Sequence, residues 1–421
     1  MLATKEIAAW VGLDWAEDQH EIRLRAAGSR EVERYQVRQD PEELHAWIRQ
    51  LRARFGGRPV VIALEQKRGG LMAALMCYDF LHLYPINPKT LARYREAFSP
   101  SGKKDDPEDA ELLLELVYRH RDRFRCWRPE AVQTRQLGLL VEGRRQWVEG
   151  RKRLVQQLRE VLKSYYPQPL QWFADLDGPL ALEFLSRWPS LEQARKVRID
   201  VLRRCFARHR VRCAETKVQA LLEQIRASYP LTQDEALIGA GSLKMVALVE
   251  QLLALLPIIK RYDKHIAKLF AQHQDAALFG SFSGAGPALA PRLLVAFGSD
   301  RNRFEDAEEV QKWSGIAPVT RKSGRSSQVV WRRGCPKFVR QSFHEFAACS
   351  IPQSPWARAY YLQQRQRGLR HHAAVRSLAY KWIRILFRCW TDRVPYDEEL
   401  YCQSLQRRNS PLVALIQPAC G

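Results

Sequence analysis

IAAWVGLD (residues 7–14) and PVVIALEQ (residues 59–66) decide the fold. Each is an apolar run with an acid near its C-terminal end, Asp14 in the first and Glu65 in the second. A continuous β-branched run suits a central strand buried on both faces. Working outward, residues 21–25 and 31–37 read as short strands separated by AAGS. DPEELHAWIRQLRARFG (40–56) reads as an amphipathic helix closed by Gly56. GLMAALMCYDF (70–80) is helical in pattern and LHLYPINP (81–88) is another short strand. Strands first, then strand alternating with helix, predict a mixed sheet with helices packed on it.

The next stretch, KKDDPEDAELL (103–113), puts five carboxylates within a few positions of each other. Asp106-Pro107-Glu108-Asp109 reads first as a helix start. Asp is a good N-cap, Pro suits the first helical position, and acids in the first turn complement the helix dipole. Leu112 to Val117 then supply the buried stripe. Asp106 and Asp109 are three apart and share one helix face, whereas Asp105 points elsewhere. Strand-end acids and helix acids can therefore converge, and four close carboxylates repel unless cations compensate them. Mg²⁺ prefers such hard oxygen ligands, and a pair of ions stabilises the attacking and leaving oxygens at a phosphate. If Asp106 is the N-cap, its oxygen serves backbone N–H groups, and Asp105 or Glu108 becomes the alternative ligand.

This acidic cluster sits in a basic chain. The 421 residues carry 68 Lys and Arg against 46 acids, a net charge of +22. A basic globular protein of this size most often meets nucleic acid, with anionic membrane surfaces as the second reading. The length predicts two or three domains. The start shows no basic n-region followed by an apolar h-region, so it does not read as a signal peptide. The longest apolar stretch, residues 245–260, carries Glu250 and Pro257 and is short for a bilayer span. Nine scattered Cys without a C-x-x-C pair read as reduced thiols in cytoplasm rather than disulfides or a zinc site.

From about 130 to 275 the pattern is helical. Residues 133–166 run over thirty positions at helical spacing before Pro167, which predicts a helical hairpin or coiled-coil arm. Capping boxes are expected at Ser190–Gln193 and Thr232–Glu235. SGAGPALAPRLLVAFG (283–298) reads as a turn followed by a helix. There Gly284 and Gly286 let backbone N–H groups approach a phosphate, although a plain tight turn fits as well. APVTRKSGRSSQVVWRRG (317–334) reads as a basic, Gly-containing loop with three serines. Trp331, Trp356, Trp382 and Trp390 are expected in the core, and His371 and His372 at a polar helix start. The tail, 391–421, is expected as a loosely held polar extension.

Asp14 in GLD, Glu65 in ALE, and Asp106 and Asp109 in KKDDPEDA resemble the DEDD tetrad of the Piv/MooV-type insertion-sequence transposases, insertion-sequence family one-hundred-ten. FSGAGPALAPRLLVAFG, WSGIAPVTRKSGRSS and WRRGCPKFVRQSFHEFA are similar to that family's C-terminal transposase domain. The resemblance runs through nearly the whole chain. It implies a RuvC-like, RNase-H-fold α/β domain over residues 1–128. A helical or coiled-coil arm then covers 129–275, and a mostly α C-terminal transposase domain covers 276–390.

It further implies DNA strand cleavage and rejoining, with Asp14, Glu65, Asp106 and Asp109 binding Mg²⁺ or Mn²⁺ and a nucleophilic serine at Ser323. Ser326 and Ser327 compete for that role by residue type. Arg321, Lys322 and Arg325 would stabilise charge on the transferring phosphate, and Lys103 and Lys104 could touch the DNA backbone. The implied partners are DNA, a structured element-encoded RNA and further copies of the chain as a dimer or tetramer, with no membrane. Two other functions share these features: a junction resolvase or nuclease using the carboxylates alone, and a catalytically silent nucleic-acid-binding protein.

Overall fold

The computed structural model describes residues 6–65, 69–212, 214–324 and 326–416 except for 99–105, and the side chains of Phe98 and Asp106 lie outside the description. The chain divides into two compact units, Met1–Pro129 and Glu130–Gly421.

The first unit is built on five strands: β1 (Ala9–Asp14), β2 (Gln19–Ala26), β3 (Glu33–Arg38), β4 (Val60–Leu64) and β5 (Leu81–Pro85), in the order β3-β2-β1-β4-β5. β1 pairs antiparallel with β2 and parallel with β4, so the sheet is mixed, as expected. The two deciding runs are its neighbouring central strands, and every residue of both strands is buried.

Side-chain alternation divides the sheet into two faces. Val11, Leu13, Ile22, Leu24, Val60, Ile62 and Leu64 face a cluster that includes Trp47 and Ile48 of α1 (Pro41–Arg54) and Leu71 and Leu75 of α2 (Gly70–Leu75). Asp40 caps α1 by accepting from the N–H groups of Glu42 and Glu43 at 3.0 Å. The opposite face presents Trp10, Val61 and Ala63 to α4 (Asp106–His120), with α3 (Pro88–Phe98) beside it.

Gly12 determines how close α4 comes. A Cβ at Gly12 would lie 1.9 Å from the Ala110 carbonyl oxygen and 2.4 Å from the Leu114 nitrogen, so only a hydrogen fits between strand and helix. Trp10 meets Tyr118 edge-on at 5.1 Å. Since Gly12 meets Ala110 and Trp10 meets Tyr118, α4 runs antiparallel to β1. Its N-terminus lies towards the strand end that carries Asp14.

The second unit is helical apart from one hairpin. α5 (Val132–Tyr165) is a single 34-residue helix. It pairs antiparallel with α11 (Glu235–Ala271): Gly143 packs on Tyr262, Gly150 on Leu255, and Gly241 on Tyr165. Between them come α6 (Pro169–Trp172), α7 (Pro179–Arg187), α8 (Leu191–Arg195), α9 (Ile199–Arg208) and α10 (Ala214–Ala227), which share a core with the distal halves of the pair. Ser190 caps α8 by accepting from Gln193 N–H, as expected. The cap of α11 is Asp234 rather than Thr232, whose hydroxyl instead accepts from Asp234 N–H. α11 is long and apolar enough by composition to cross a membrane, although the stretch within it reads as short for a span. In this fold it lies along α5.

The remaining elements are α12 (Ala276–Gly280), α13 (Gly286–Phe297), α14 (Ala307–Ser314), β6 (Val319–Ser323), β7 (Ser326–Val330), α15 (Lys337–Ser350), α16 (Pro355–Gln366), α17 (His371–Asp392) and α18 (Glu398–Arg407). Trp356, Trp382 and Trp390 are fully buried in their aromatic core, as expected. Trp331 is 40% exposed and stands outside it.

The C-terminal tail, through Ile416, is docked rather than loosely held. The Tyr396 ring stacks on Phe282 at 5.2 Å, and its hydroxyl accepts from Trp356 Nε1 at 2.7 Å. Its polar composition hides the apolar anchors, including Tyr396, Tyr401 and Leu405, which pack against the aromatic core.

Replacing Gly12 with Val should disrupt the first unit, because α4 must retreat from β1. Overpacking of this kind costs about 1–3 kcal/mol when neighbours can give, and more against backbone. Urea unfolding of Gly12→Ala and Gly12→Val should show a graded loss, and equal stability to wild type would contradict the close approach.

Candidate active site

The site grows from the alternation that builds the sheet. Trp10, Gly12 and Asp14 share the α4 face of β1, and the parallel register sets Leu13 beside Leu64. Asp14 is the last residue of β1, and Glu65 follows directly after the end of β4, so both acids stand at the C-terminal ends of adjacent parallel strands. Asp14 is buried and Glu65 half-buried. The loop after Asp14 folds back so that Ala16 N–H donates to His20 Nδ1 at 3.4 Å.

α4 brings the third acid. Asp109 precedes Ala110, the residue lodged on Gly12, and is 2% exposed. Arg95 of α3 donates from Nε to Asp109 Oδ1 at 2.9 Å, and its Nη2 reaches the same oxygen. This ion pair is nearly dry, with side-chain exposures of 15% and 3%. Arg95 also lines a cleft of about 360 Å³ with Arg25, Glu108, Glu111 and Tyr118. Glu108, the alternative ligand, is exposed on this cleft side of the helix.

Asp106 begins α4, with Pro107 in the first turn as expected. Its side chain lies outside the described residues, as do Lys103, Lys104 and Arg325 entirely. Among the described residues, no three His, Cys, Asp or Glu side chains come close enough together to hold one metal ion. The residue types are nonetheless of the right chemistry: carboxylates at two strand ends and in the first turn of α4. Hard divalent cations take such ligands.

Three residues beside these acids are not marked as site residues by sequence pattern. Glu21 of β2 stands directly across from Asp14. It accepts from Arg23 Nη1 at 3.1 Å, and Arg23 is itself buried. The alternation EIRLRA (21–26) signals a charged face on β2. Only the sheet order reveals that this face points towards Asp14. Arg95 is one of several arginines in its segment, and nothing local singles it out.

In the second unit, residues 317–334 form a hairpin rather than a loop. β6 and β7 pair in register, Ser323 opposite Ser326 and Lys322 opposite Ser327. Gly324, with φ +56°, makes the tight turn at the tip. β-Branched Val319, Thr320, Val329 and Val330 favour the strands, and Gly324 suits the turn. Ser323, Ser326 and Ser327 are exposed, as are Arg321 and Lys322. An isolated two-stranded hairpin is marginal in water, and here both faces lack cover over most of their length.

Gly284 has φ +87°, and a Cβ there would strike the Cys349 carbonyl at 2.7 Å. This glycine permits α15 to pack closely. Gly286, with φ +54°, opens α13 towards solvent.

Comparison with known proteins bears on both units. A family model described as "Transposase", of the IS110 DEDD type, matches residues 11–167. Another, "Transposase IS116/IS110/IS902 family", matches residues 276–362. The chain is 29% identical to a mini-circle protein of Streptomyces coelicolor named as the candidate transposase for IS117, over 93% of this chain and 96% of the relative. It is 27% identical to the 44.8 kDa protein of insertion element IS116 from Streptomyces clavuligerus, covering 93% and 97%. A 42 kDa protein of IS900 from Mycobacterium paratuberculosis is 24% identical, covering 92% and 96%.

Arg95→Ala should leave Asp109 as an uncompensated buried carboxylate. Breaking one side of such a pair costs about 3–5 kcal/mol. The double variant Arg95→Met/Asp109→Leu should recover most of that loss in urea titration, and failure to recover would assign the cost to packing instead.

Proposed function

Since the chain belongs to the IS116/IS110/IS902 transposase family and is a DNA transposase, we propose that it cuts and rejoins strands with two sets of groups, the carboxylates of the first unit and Ser323 of the second. The observation that supports this reading is the place of Asp14, at the C-terminal end of β1 on the face where Gly12 admits α4, beside β4, which ends just before Glu65.

Asp14, Glu65, Asp106 and Asp109 are the proposed holders of Mg²⁺ or Mn²⁺. A divalent cation at such oxygens supplies charge stabilisation to a transferring phosphate. The protein's own contribution is to fix those oxygens. Asp14 ends a central strand, Glu65 follows the neighbouring one, and Arg95 anchors Asp109 through one oxygen. Ligating carboxylates are commonly steadied by such a hydrogen bond.

Ser323 is the proposed nucleophile. Its Oγ attacks phosphorus and gives up its proton, while the bond from phosphorus to one deoxyribose oxygen breaks and that oxygen takes up a proton. The phosphoserine ester conserves the bond energy, and the reverse attack by a deoxyribose hydroxyl on another strand rejoins the DNA. Support comes from the hairpin: the serine stands at an exposed tip with Arg321 and Lys322 behind it, where a phosphate can reach them. Arg325 shares the tip in sequence. Gly284 and Gly286 are kept as backbone contacts to DNA, with Gly286 at the accessible end of its helix. Lys103 and Lys104, just before α4, are proposed phosphate contacts. The antiparallel α5–α11 arm is the proposed oligomerisation element, and an element-encoded RNA is a proposed further partner consistent with the +22 charge.

Adduct trapping tests this reading. Protein purified with any bound RNA is mixed with Mg²⁺ and labelled DNA spanning an element junction, then resolved on a denaturing gel. A slow-migrating protein–DNA band is expected, absent in Ser323→Ala and in Asp14→Asn. Cleavage without an adduct, unchanged in Ser323→Ala, would point to a nuclease acting through the carboxylates alone. Retention of the adduct in Ser323→Ala but not in Ser326→Ala or Ser327→Ala would move the nucleophile along the hairpin.

A further inference from the structure

At the base of the β6–β7 hairpin, the chain leaves β7 through Trp331, which is exposed. Two guanidiniums lie against its ring. Arg340 of α15 is 4.7 Å from the ring centre and Arg376 of α17 is 3.8 Å from it. Cation–π contact of this kind holds each cation in place. It does not neutralise either one.

The surroundings add further basic groups. α15 presents Arg340 and His344 one turn apart, and α17 presents His372 and Arg376 one turn apart. His344 and His372 meet at 5.5 Å, and His372 meets His371 at 5.0 Å. Arg340 Nη1 donates to the Arg332 carbonyl, at 3.2 Å. Arg376 Nε is buried with no hydrogen-bond partner among the described residues. No described carboxylate pairs with either arginine. The contrast within the same unit is sharp: Arg292 has Glu345 and Arg301 has Asp275, each bridged within 2.6 Å. Burial and the neighbouring Arg340 charge weaken Arg376's hold on its proton, and burial, with the Arg376 charge nearby, lowers the pKa of His344.

Two uncompensated guanidiniums on one ring repel each other, and a fold accepts this most readily where an anion completes the arrangement. We propose that Arg340 and Arg376, arrayed on Trp331, form a phosphodiester-binding site that anchors a nucleic-acid strand running along the β6–β7 hairpin. Five strand residues separate this site from the hairpin tip, roughly 13–16 Å at strand rise. The bound phosphate is therefore distinct from one at Ser323. It fixes the strand's path and carries no chemistry. The inference rests on the transposase reading only in taking nucleic acid as the hairpin's partner. It does not require Ser323 to be the nucleophile.

The test is anisotropy with labelled single-stranded DNA and RNA of the same sequence, titrated with full-length protein over a range of salt. Arg340→Gln/Arg376→Gln should bind about tenfold more weakly, and the slope of log affinity against log salt should become shallower by about 0.7–1, the change expected when one phosphate is no longer neutralised. Arg340→Lys/Arg376→Lys should keep most of the slope, because a point charge still meets the anion. The control Arg365→Gln/Arg388→Gln removes the same charge from exposed positions on α16 and α17. Weakening confined to DNA or to RNA identifies which strand lies on the hairpin, and equal weakening on both shows that the site reads phosphate alone.

Wild-type affinity in the Gln pair, or an equal loss in the control, overturns the proposal. Should the Gln pair melt early, single Arg340→Gln carries the same comparison. Weakened oligonucleotide affinity in the Gln pair, with an adduct still formed at Ser323, would separate anchoring from chemistry. If the wild-type chain formed no adduct while the Gln pair still bound weakly, the nucleophile would fall and the anchor would stand.

Discussion

The contact between Gly12 and the first turns of α4 organises the first unit. A helix can rest with its backbone on a strand only where the strand lacks a side chain, and β1 lacks one at a single position. Ala110 and Leu114 fill that space. Everything about the acidic site follows from this docking. The helix runs back along β1, so its acidic start lies towards Asp14. The parallel pairing of β1 and β4 brings the end of β4, just before Glu65, beside the end of β1. The acids at 106–109 open a helix, and the direction of that helix turns its start towards the end of β1.

Concentrating carboxylates this way has an electrostatic cost, and the fold offsets it with arginines. Arg95 pairs with Asp109, and Arg23 with Glu21. Both pairs are nearly dry, where an unpaired charge would be strongly destabilising. Because Arg95 uses two nitrogens on one oxygen of Asp109, the carboxylate is steadied without both oxygens being consumed. The second unit shows the inverse arrangement. Its hairpin and the Trp331 cluster gather cations without acids among the described residues. Buried charge is thus paired in the first unit, while the Trp331 cluster of the second holds arginines without a described carboxylate partner.

Much of this was legible in the sequence. The two apolar runs ending in Asp14 and Glu65 identify central strands, because nothing but burial on both faces explains them. Asp-Pro-Glu-Asp identifies a helix start through capping and dipole preferences. The thirty-odd residues before Pro167 identify a long helical arm. Less legible was the hairpin around Ser323: its Gly, Ser and Arg residues read as a loop, and the β-branched residues that make it a ribbon flank the polar tip. Tyr396, Tyr401 and Leu405 were hidden in a polar tail, because a few apolar anchors among many polar residues leave no periodic pattern.

Local pattern by itself determined which segments become strands and helices and which residues carry acid chemistry, because those choices depend on alternation, turn residues and capping within a few positions. Strand order, the partner of each buried charge and the neighbours of Trp331 were decided by tertiary structure alone. Arg95 lies fourteen residues from Asp109, and Arg376 lies on a different helix from Arg340. Such pairings arise only once packing has set the elements side by side, since electrostatic contact depends on distance in space and leaves no periodic trace along the chain.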